Sequence, residues 1–220
     1  MKVTTLKTVP AQRRKAGAFT LIEMIGVLAV IAILAALLIP KVFTAISNAR
    51  VNNAAVSAQT VKTALADHYA KWGSIPVDAS SGTAVSLTPP VYNYDTVLLK
   101  EGFLDKPFAV KIGDGINDAT HTRVEVIDMS GWTTNTAVTA TATSGGVGFN
   151  LAGTNAVNTA LGSTVVEAII TGVTESDAKD LSERIDGISL STAIGASDLG
   201  GRVKYLAGTP TTVYVYLTHR

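Results

Sequence analysis

The sequence predicts an α+β fold in which a long N-terminal α-helix packs on a C-terminal antiparallel β-sheet head. Three observations support this prediction. An apolar run from Gly17 to Pro40 is long enough for a membrane-spanning helix. Apolar residues then recur at helical spacing from Val51 to Trp72. After Pro76 the chain breaks into short segments of alternating polar and apolar residues, as expected for strands joined by turns.

The first element is a basic leader. Residues 1–18 hold five basic side chains and no acidic one. Without those five charges the chain has 13 basic and 17 acidic residues, and this mildly acidic remainder gives no reason to expect nucleic-acid binding. Cysteine is absent, which excludes disulfides, thiolate nucleophiles and cysteine metal sites.

The apolar run contains one carboxylate. Phe19 to Ile39 is 21 residues, about 31 Å as a helix, which matches the hydrocarbon thickness of a membrane. Glu23 lies near its start, and 16 uncharged residues follow. A carboxylate in hydrocarbon is unfavourable by several kcal/mol unless it is paired. Glu23 is therefore expected to have a partner.

Two ordinary interpretations of residues 1–40 leave facts unexplained. A secretory signal peptide has a shorter apolar region without a carboxylate, and a cut after Ala45 would place the bulky Phe43 where a small residue is expected. A plain single-pass anchor accounts for the basic leader, which would stay in the cytoplasm. It does not account for Glu23.

A third interpretation accounts for Glu23 as well. Ala18, the motif from Phe19 to Glu23, and the apolar run ending at Pro40 together resemble the N-terminus of type IV pilins and type II secretion pseudopilins. The resemblance implies that a prepilin peptidase cuts on the cytoplasmic side, just before the phenylalanine, and that the new amino group is N-methylated. It covers about 50 residues of the chain.

The register of this resemblance predicts the cut. Cleavage between Ala18 and Phe19 makes Glu23 the fifth and Pro40 the twenty-second mature residue, which are the family's positions for its carboxylate and its helix proline. Glycine is usual before the scissile bond, but a cut after Gly17 would break this register. We therefore expect cleavage after Ala18 and N-methylation of Phe19.

The same resemblance gives Glu23 a role in assembly. Its carboxylate is expected to neutralise the Phe19 amine of a neighbouring subunit, although snorkelling to the cytoplasmic interface is the other explanation. Pro40 removes one backbone donor and is expected to kink the helix. Ala32 stands where the family commonly has glycine, which leaves open whether the helix unwinds in a filament.

Four regions follow from this interpretation: a cleaved leader at 1–18, a transmembrane and polymerisation helix at 19–39, its amphipathic continuation at 40–73, and an α+β head at 74–220. The buried face of the continuation is expected to comprise Val51, Ala54, Ala58, Val61, Leu65, His68 and Trp72. These side chains are interpreted as packing residues.

Within the head, helices are expected at Thr96–Glu101, at Val165–Ile170, and after a capping motif from Thr174 to Asp177. Strands are expected at Phe108–Ile112, Thr122–Ile127, Arg202–Leu206 and Thr212–Leu217, the last two as a hairpin. Residues 77–96 are interpreted as a loop. The threonine-rich residues 133–164 are either a variable or O-glycosylated face or a linker.

No catalytic constellation emerges, and the chain is not expected to be an enzyme. Its three histidines are far apart in sequence. The best cation candidate is Asp114, Asn117 and Asp118, whose oxygen atoms suit calcium, although the same residues are typical of a tight turn. Calcium apart, no cofactor is expected.

The resulting hypothesis is a structural, pilin-like subunit that is processed by prepilin peptidase and polymerises into a type IV filament, either a type II secretion pseudopilus or a type IV pilus. Its expected partners are copies of itself, other pilin-like subunits, an inner-membrane assembly platform and membrane lipid. The subunit would lie in a bacterial inner membrane with a cytoplasmic N-terminus and a periplasmic head, before it joins a periplasmic or extracellular filament. The alternative is an anchored periplasmic binding module that does not polymerise.

Overall fold

The computed structural model describes residues 19–75, 93–118, 120–128, 149–151 and 163–220. Its elements in chain order are α1 (Leu21–Trp72), α2 (Tyr94–Lys100), β1 (Arg123–Asp128), β2 (Thr164–Val173), α3 (Glu175–Asp186), β3 (Val203–Tyr205) and β4 (Thr211–His219). A long N-terminal helix is packed with a four-stranded antiparallel sheet, which confirms the predicted α+β class. The predicted glycosylated or linker segment lies largely outside the described residues.

The chain divides into two compact units, Met1–Thr44 and Ala45–Arg220. In the first unit the described residues are Phe19, Thr20 and the first part of α1, and nearly all of their side chains are exposed. The second unit, called the head below, has an apolar core shared by its helices and its sheet.

Within the head, α1 buries one strip of side chains at spacings of three and four residues: Val51, Ala54, Ala58, Val61, Ala64, Leu65 and His68. This confirms the predicted face except at its end, because Trp72 is 57 % exposed. Lys71 Nζ lies 5.0 Å from the centre of the Trp72 ring. The next residue, Gly73, has a φ of 73°, a conformation that favours glycine, and α1 ends there.

The sheet has the strand order β1-β2-β4-β3, and every neighbouring pair is antiparallel. The short helix predicted at Val165–Ile170 is wrong, because these residues belong to β2. The segment is rich in β-branched side chains and is buried on both faces of the sheet. Both properties favour a strand that lies between two others.

A strand predicted at Phe108–Ile112 is also wrong, although its apolar side chains alternate and are buried. The Phe108 N–H donates to Asp95 Oδ2 at 2.7 Å, and the Phe108 carbonyl accepts from Asn117 Nδ2 at 2.5 Å. Side chains therefore satisfy backbone groups that a sheet would have used. The strand predicted at Thr122–Ile127 is present as β1, and it pairs with β2.

The helix predicted at Thr96–Glu101 is present as α2, which begins at Tyr94, and the loop predicted at 77–96 lies largely outside the described residues. Thr174 caps α3 by accepting a hydrogen bond from the Asp177 N–H at 3.2 Å. Strands β3 and β4 form the predicted hairpin. Val213, Val215 and Leu217 of β4 belong to the core that contains α1. Tyr214 lies in a second apolar cluster on the other face of the sheet, where Phe149 is fully buried.

Candidate functional site at the start of the long helix

The bond predicted to be cut lies at the edge of the described residues, because Ala18 is outside them. Phe19 and Thr20 precede α1 without belonging to it. The Phe19 side chain is 76 % exposed. Cleavage after Ala18 and N-methylation of Phe19 therefore stay predictions.

Thr20 and Glu23 form a reciprocal cap at the first turn of α1. Glu23 Oε2 accepts hydrogen bonds from the Thr20 N–H and from Thr20 Oγ1, both at 2.8 Å. Thr20 Oγ1 lies 3.4 Å from the Glu23 N–H, which donates to it. This is the geometry of a capping box, and it accounts for the start of the helix immediately after Thr20. Sequence reasoning missed Thr20, although its spacing from Glu23 is the signal of such a box.

The Glu23 carboxylate is not neutralised within the described part of the subunit. No cationic side chain there lies within 4.0 Å of it. Both hydrogen bonds from Thr20 end on Oε2, no described residue donates to Oε1, and the Glu23 side chain is exposed. An external cation can therefore approach this carboxylate without displacing the helix cap.

The apolar side chains that follow Glu23 are not buried by other described residues of the subunit. Among the described residues, α1 is the one helix long and apolar enough to cross a membrane, and none of its most apolar 18-residue stretch is buried. Large exposed side chains continue as far as Phe43 and Ile46. In water this surface would be unfavourable, so it requires lipid or the apolar helices of other subunits.

Pro40 lies inside α1, which continues through it to Trp72. Its carbonyl accepts a hydrogen bond from Thr44 Oγ1 at 3.0 Å, so a side chain contacts the backbone one turn after the proline. Whether Pro40 kinks the helix stays a prediction.

The three calcium candidates take part in separate hydrogen-bond networks. Asp114 Oδ1 accepts from the Ile116 N–H at 3.1 Å. Asn117 Nδ2 donates to Asp95 Oδ2 at 3.1 Å. Asp118 accepts from Thr120, and the hydrogen bond from the Thr120 N–H is the main cause that lowers the pKa of Asp118.

The described part of the chain contains no group of three or more His, Asp or Glu side chains that suits a metal ion. Asp114 and Asp118 accept hydrogen bonds from backbone N–H groups two residues further on, whereas Asn117 forms a β-bridge with Thr122. Calcium binding there stays a prediction.

A buried hydrogen-bond chain joins α1 to α2. His68 Nδ1 lies 2.5 Å from Glu101 Oε2, and Tyr94 Oη lies 3.0 Å from His68 Nε2. A ring protonated on Nδ1 donates to the carboxylate and accepts from the tyrosine. Burial, followed by the charge of Glu101, raises the pKa of Tyr94. Because His68 and Tyr94 are only about 3 % exposed, this hydrogen-bond chain acts as a clamp between two helices.

The outer face of the sheet holds a second buried group of charges. Glu167 on β2 lies opposite Glu125 on β1, and Arg123 pairs with Glu125 at 2.8 Å. Burial raises the pKa of Glu167 to about 7, against the opposing charge of Lys204 on β3. Lys204 Nζ lies 4.4 Å from the centre of the Phe149 ring, and burial lowers its pKa. Sequence reasoning missed this group, because it placed Glu167 in a helix and did not reveal that β1, β2 and β3 belong to one sheet.

Comparison with known proteins gives one match. Residues 13–39 match the family model described as the prokaryotic N-terminal methylation motif. The matched stretch includes Phe19, Thr20 and Glu23, so the capped start of α1 and the matched motif coincide. The comparisons with curated proteins and with solved structures found no match.

Proposed function

Residues 13–39 are the prepilin-type cleavage and methylation segment of type IV pilins and pseudopilins, and from that premise we propose that the mature chain is a subunit of a type IV filament. The motif supports a precursor that is processed by prepilin peptidase. The proposal adds polymerisation through α1, with the heads on the outside of the filament. The observation that supports it most strongly is the unneutralised Glu23 carboxylate at the start of an uncovered apolar helix.

Cleavage after Ala18 supplies the missing cation. It leaves a positive amino group on Phe19, one residue before the Thr20 cap. Glu23 Oε1 of a neighbouring subunit has no donor of its own and can accept from that amine. Two charges that are separately unfavourable in an apolar environment are then paired. Pairing of this kind stabilises the assembled state more than the isolated subunit.

The uncovered side chains give the second driving force. Before assembly the membrane covers the apolar part of α1, with the basic leader on the cytoplasmic side. Extraction into a filament exchanges lipid for the helices of other subunits, which are equally apolar, so the helix stays covered throughout. The head beyond Ala45 has its own core and can remain folded in both states.

The proposed partners are copies of this chain, other pilin-like subunits, prepilin peptidase, and an inner-membrane assembly platform. The filament is either a secretion pseudopilus or a pilus. The complete absence of cysteine favours the pseudopilus slightly, because pilins often close a C-terminal loop with a disulfide.

A Glu23→Ala variant tests the proposal. We expect it to insert into the membrane and to be processed, and to be lost almost entirely from sheared filaments. The measurement is immunoblotting of the filament and membrane fractions, with Glu23→Asp as the matched variant that keeps the charge. The alternative, an anchored binding module, makes two other predictions. The wild type would never leave the membrane as a polymer, and Glu23→Ala would retain the activity of the wild type.

A further inference from the structure

An open groove separates α1 from the irregular segment that follows α2. Its volume is about 520 Å³, and residues 104–111 form one wall while Asn53 and Ser57 of α1 form part of the other. Apolar side chains such as Val61 and Phe108 line its base. A groove of this size, open at the surface of the head, can receive the side chains of a second protein surface.

The rim of the groove is mainly basic. Lys106 and Lys111 line it, and both are exposed. Within the described part of the chain no carboxylate lies within 4.0 Å of either ammonium group. Arg50 precedes Asn53 and Ser57 by three and seven residues, which places it on the same strip of α1. The exposed Asp105 is the one opposing charge among the residues that line the groove.

An acidic surface lies on the other flank of α1. Helix α3 carries five acidic and two basic residues. A notch of about 220 Å³ is lined by Asn48, Asp180, Glu183 and Arg184. Ser47 Oγ donates to Asp177 Oδ1 at 3.0 Å, which ties α3 to α1 at this end of the head.

Asp180 lines the notch and, like Glu175 and Asp177, has no ion pair among the described residues. Glu183 pairs with Lys179, whereas no cationic side chain of the described residues lies within 4.0 Å of Asp180. Burial raises the pKa of Asp180, and the neighbouring Glu183 and Asp177 raise it further. A basic group from outside the subunit would therefore be favourable here.

The two surfaces lie on opposite sides of the buried strip of α1. At about 100° of rotation per residue, Asn48 and Ser57 lie on opposite sides of the line through Ala54 and Ala58. The flank with the groove thus carries the exposed Lys106 and Lys111, and the flank with α3 carries that helix's excess of acidic residues beside the basic Lys62 and Arg202. A contact between unlike flanks of identical copies is heterologous, so it propagates from subunit to subunit into a ring or an open filament.

We propose that the groove of one copy receives the acidic edge of α3 from the next copy, with Lys106 facing Asp180. This contact rests on the filament proposed above, since it exists only between polymerised copies. It assigns the filament's head-to-head interface to two named surfaces and makes that interface sensitive to charge. A second copy is the favoured occupant of the groove, because the same chain carries both of the complementary charges.

Charge reversal of each partner tests this contact. Lys106→Glu and Asp180→Lys are each expected to lower the fraction of subunits in filaments about tenfold, because a like-charge contact replaces an unlike one. The double variant, with both reversals in one chain, is expected to recover. Co-expression of the two single variants is also expected to recover, since alternating copies then place unlike charges at every contact. Lys100→Glu, an exposed lysine that does not line the groove, is the matched control.

The outcomes separate this contact from the function on which it rests. Thermal unfolding of each full-length variant in detergent, followed by circular dichroism, shows whether a loss of filaments reflects a loss of folding. The proposed contact would be overturned if the folded single variants assembled normally. It would also be overturned if assembly recovered neither in the double variant nor on co-expression of the two single variants. A wild-type chain that is processed and inserted but never enters a filament would overturn the proposed function, and this contact with it.

Discussion

The first unit and the head place apolar side chains of one helix in opposite surroundings. Leu65 of α1 is 1 % exposed in the core of the head, whereas Leu34 of the same helix is 60 % exposed. The head buries an apolar core of its own, whereas none of the most apolar stretch of α1 is buried. A single helix thus joins a self-sufficient domain to a segment that requires lipid or other subunits, which is what a polymerising membrane subunit needs.

The charges of the two regions show the same contrast. Glu23 is exposed, its Oε2 is held by Thr20, and its Oε1 is open to an external donor. Glu167 is fully buried in the sheet, and its compensating charge, Lys204, comes from the same chain. The carboxylate of the head therefore affects folding stability, whereas the carboxylate of the first unit is the one that we propose acts in assembly.

Truncation of matched leucines would show the largest difference between the two regions. Leu65→Ala leaves a cavity in the head and is expected to lower its free energy of unfolding by about 3 kcal/mol. Leu34→Ala removes the same atoms from a side chain that makes no core contact, so the unfolding of the head should not change. Urea unfolding of the full chain in detergent, followed by tyrosine and tryptophan fluorescence, measures both. An equal loss of unfolding free energy in the two variants would contradict the separation of the head from the first unit.

The pH dependence of the head is the second test. Because burial raises the pKa of Glu167 from 4.5 to about 7, the folded state binds its proton more tightly than the unfolded state. Stability from this group is complete below pH 4.5 and is lost as the pH rises towards 7. Relative to Glu167→Gln, the wild type should therefore lose on the order of 2 kcal/mol across this range.

Unfolding of both proteins at a series of pH values measures this difference. Arg123, Glu125, Lys204, Tyr214, Tyr216 and His219 also face this side of the sheet, and they are the same in both proteins. Because the charge of Glu167 raises the pKa of Lys204, the difference between the two proteins reports on both residues. Stability curves that run parallel from pH 4.5 to 7 would show that Glu167 is not the titrating group.

The smallest expected difference between the two regions comes from removing their helix caps. Thr174→Ala removes the hydrogen bond to the Asp177 N–H and is expected to lower the stability of the head by about 1 kcal/mol. Thr20→Ala removes the cap of α1, which should fray its first turn without changing the unfolding of the head. Amide hydrogen exchange read by mass spectrometry detects both effects, with the exposed Ser176→Ala as control. Faster exchange throughout the head of the Thr20→Ala variant would contradict the independence of the two regions.

The sequence predicted the elements whose pattern is local. The buried strip of α1, the Thr174 cap and the β3–β4 hairpin all follow from spacing and turn chemistry within a few residues. The predictions failed where partners are distant in sequence. The β-branched Val165–Ile170 becomes a strand only because β1 and β4 lie on both sides of it.

The candidate site shows the same limit. Glu23 and its motif were recognisable because they occupy a continuous segment that matches a family model. The groove beside Lys106 was not, because Asn53 and Lys106 are brought together only by the packing of the head. Phe108–Ile112 has the alternation of a strand, but Asp95 and Asn117 take its backbone hydrogen bonds, and sequence spacing does not reveal such contacts.

The central claim is that processing creates the amine that pairs with Glu23, and the mass of the mature N-terminal peptide tests it most directly. We expect the protein purified from filaments and sequenced by tandem mass spectrometry to begin at N-methylated Phe19. A mature chain that begins at Ala18, or one that keeps its basic leader in the filament, would contradict it, because Glu23 would then no longer be the fifth residue from the free amine.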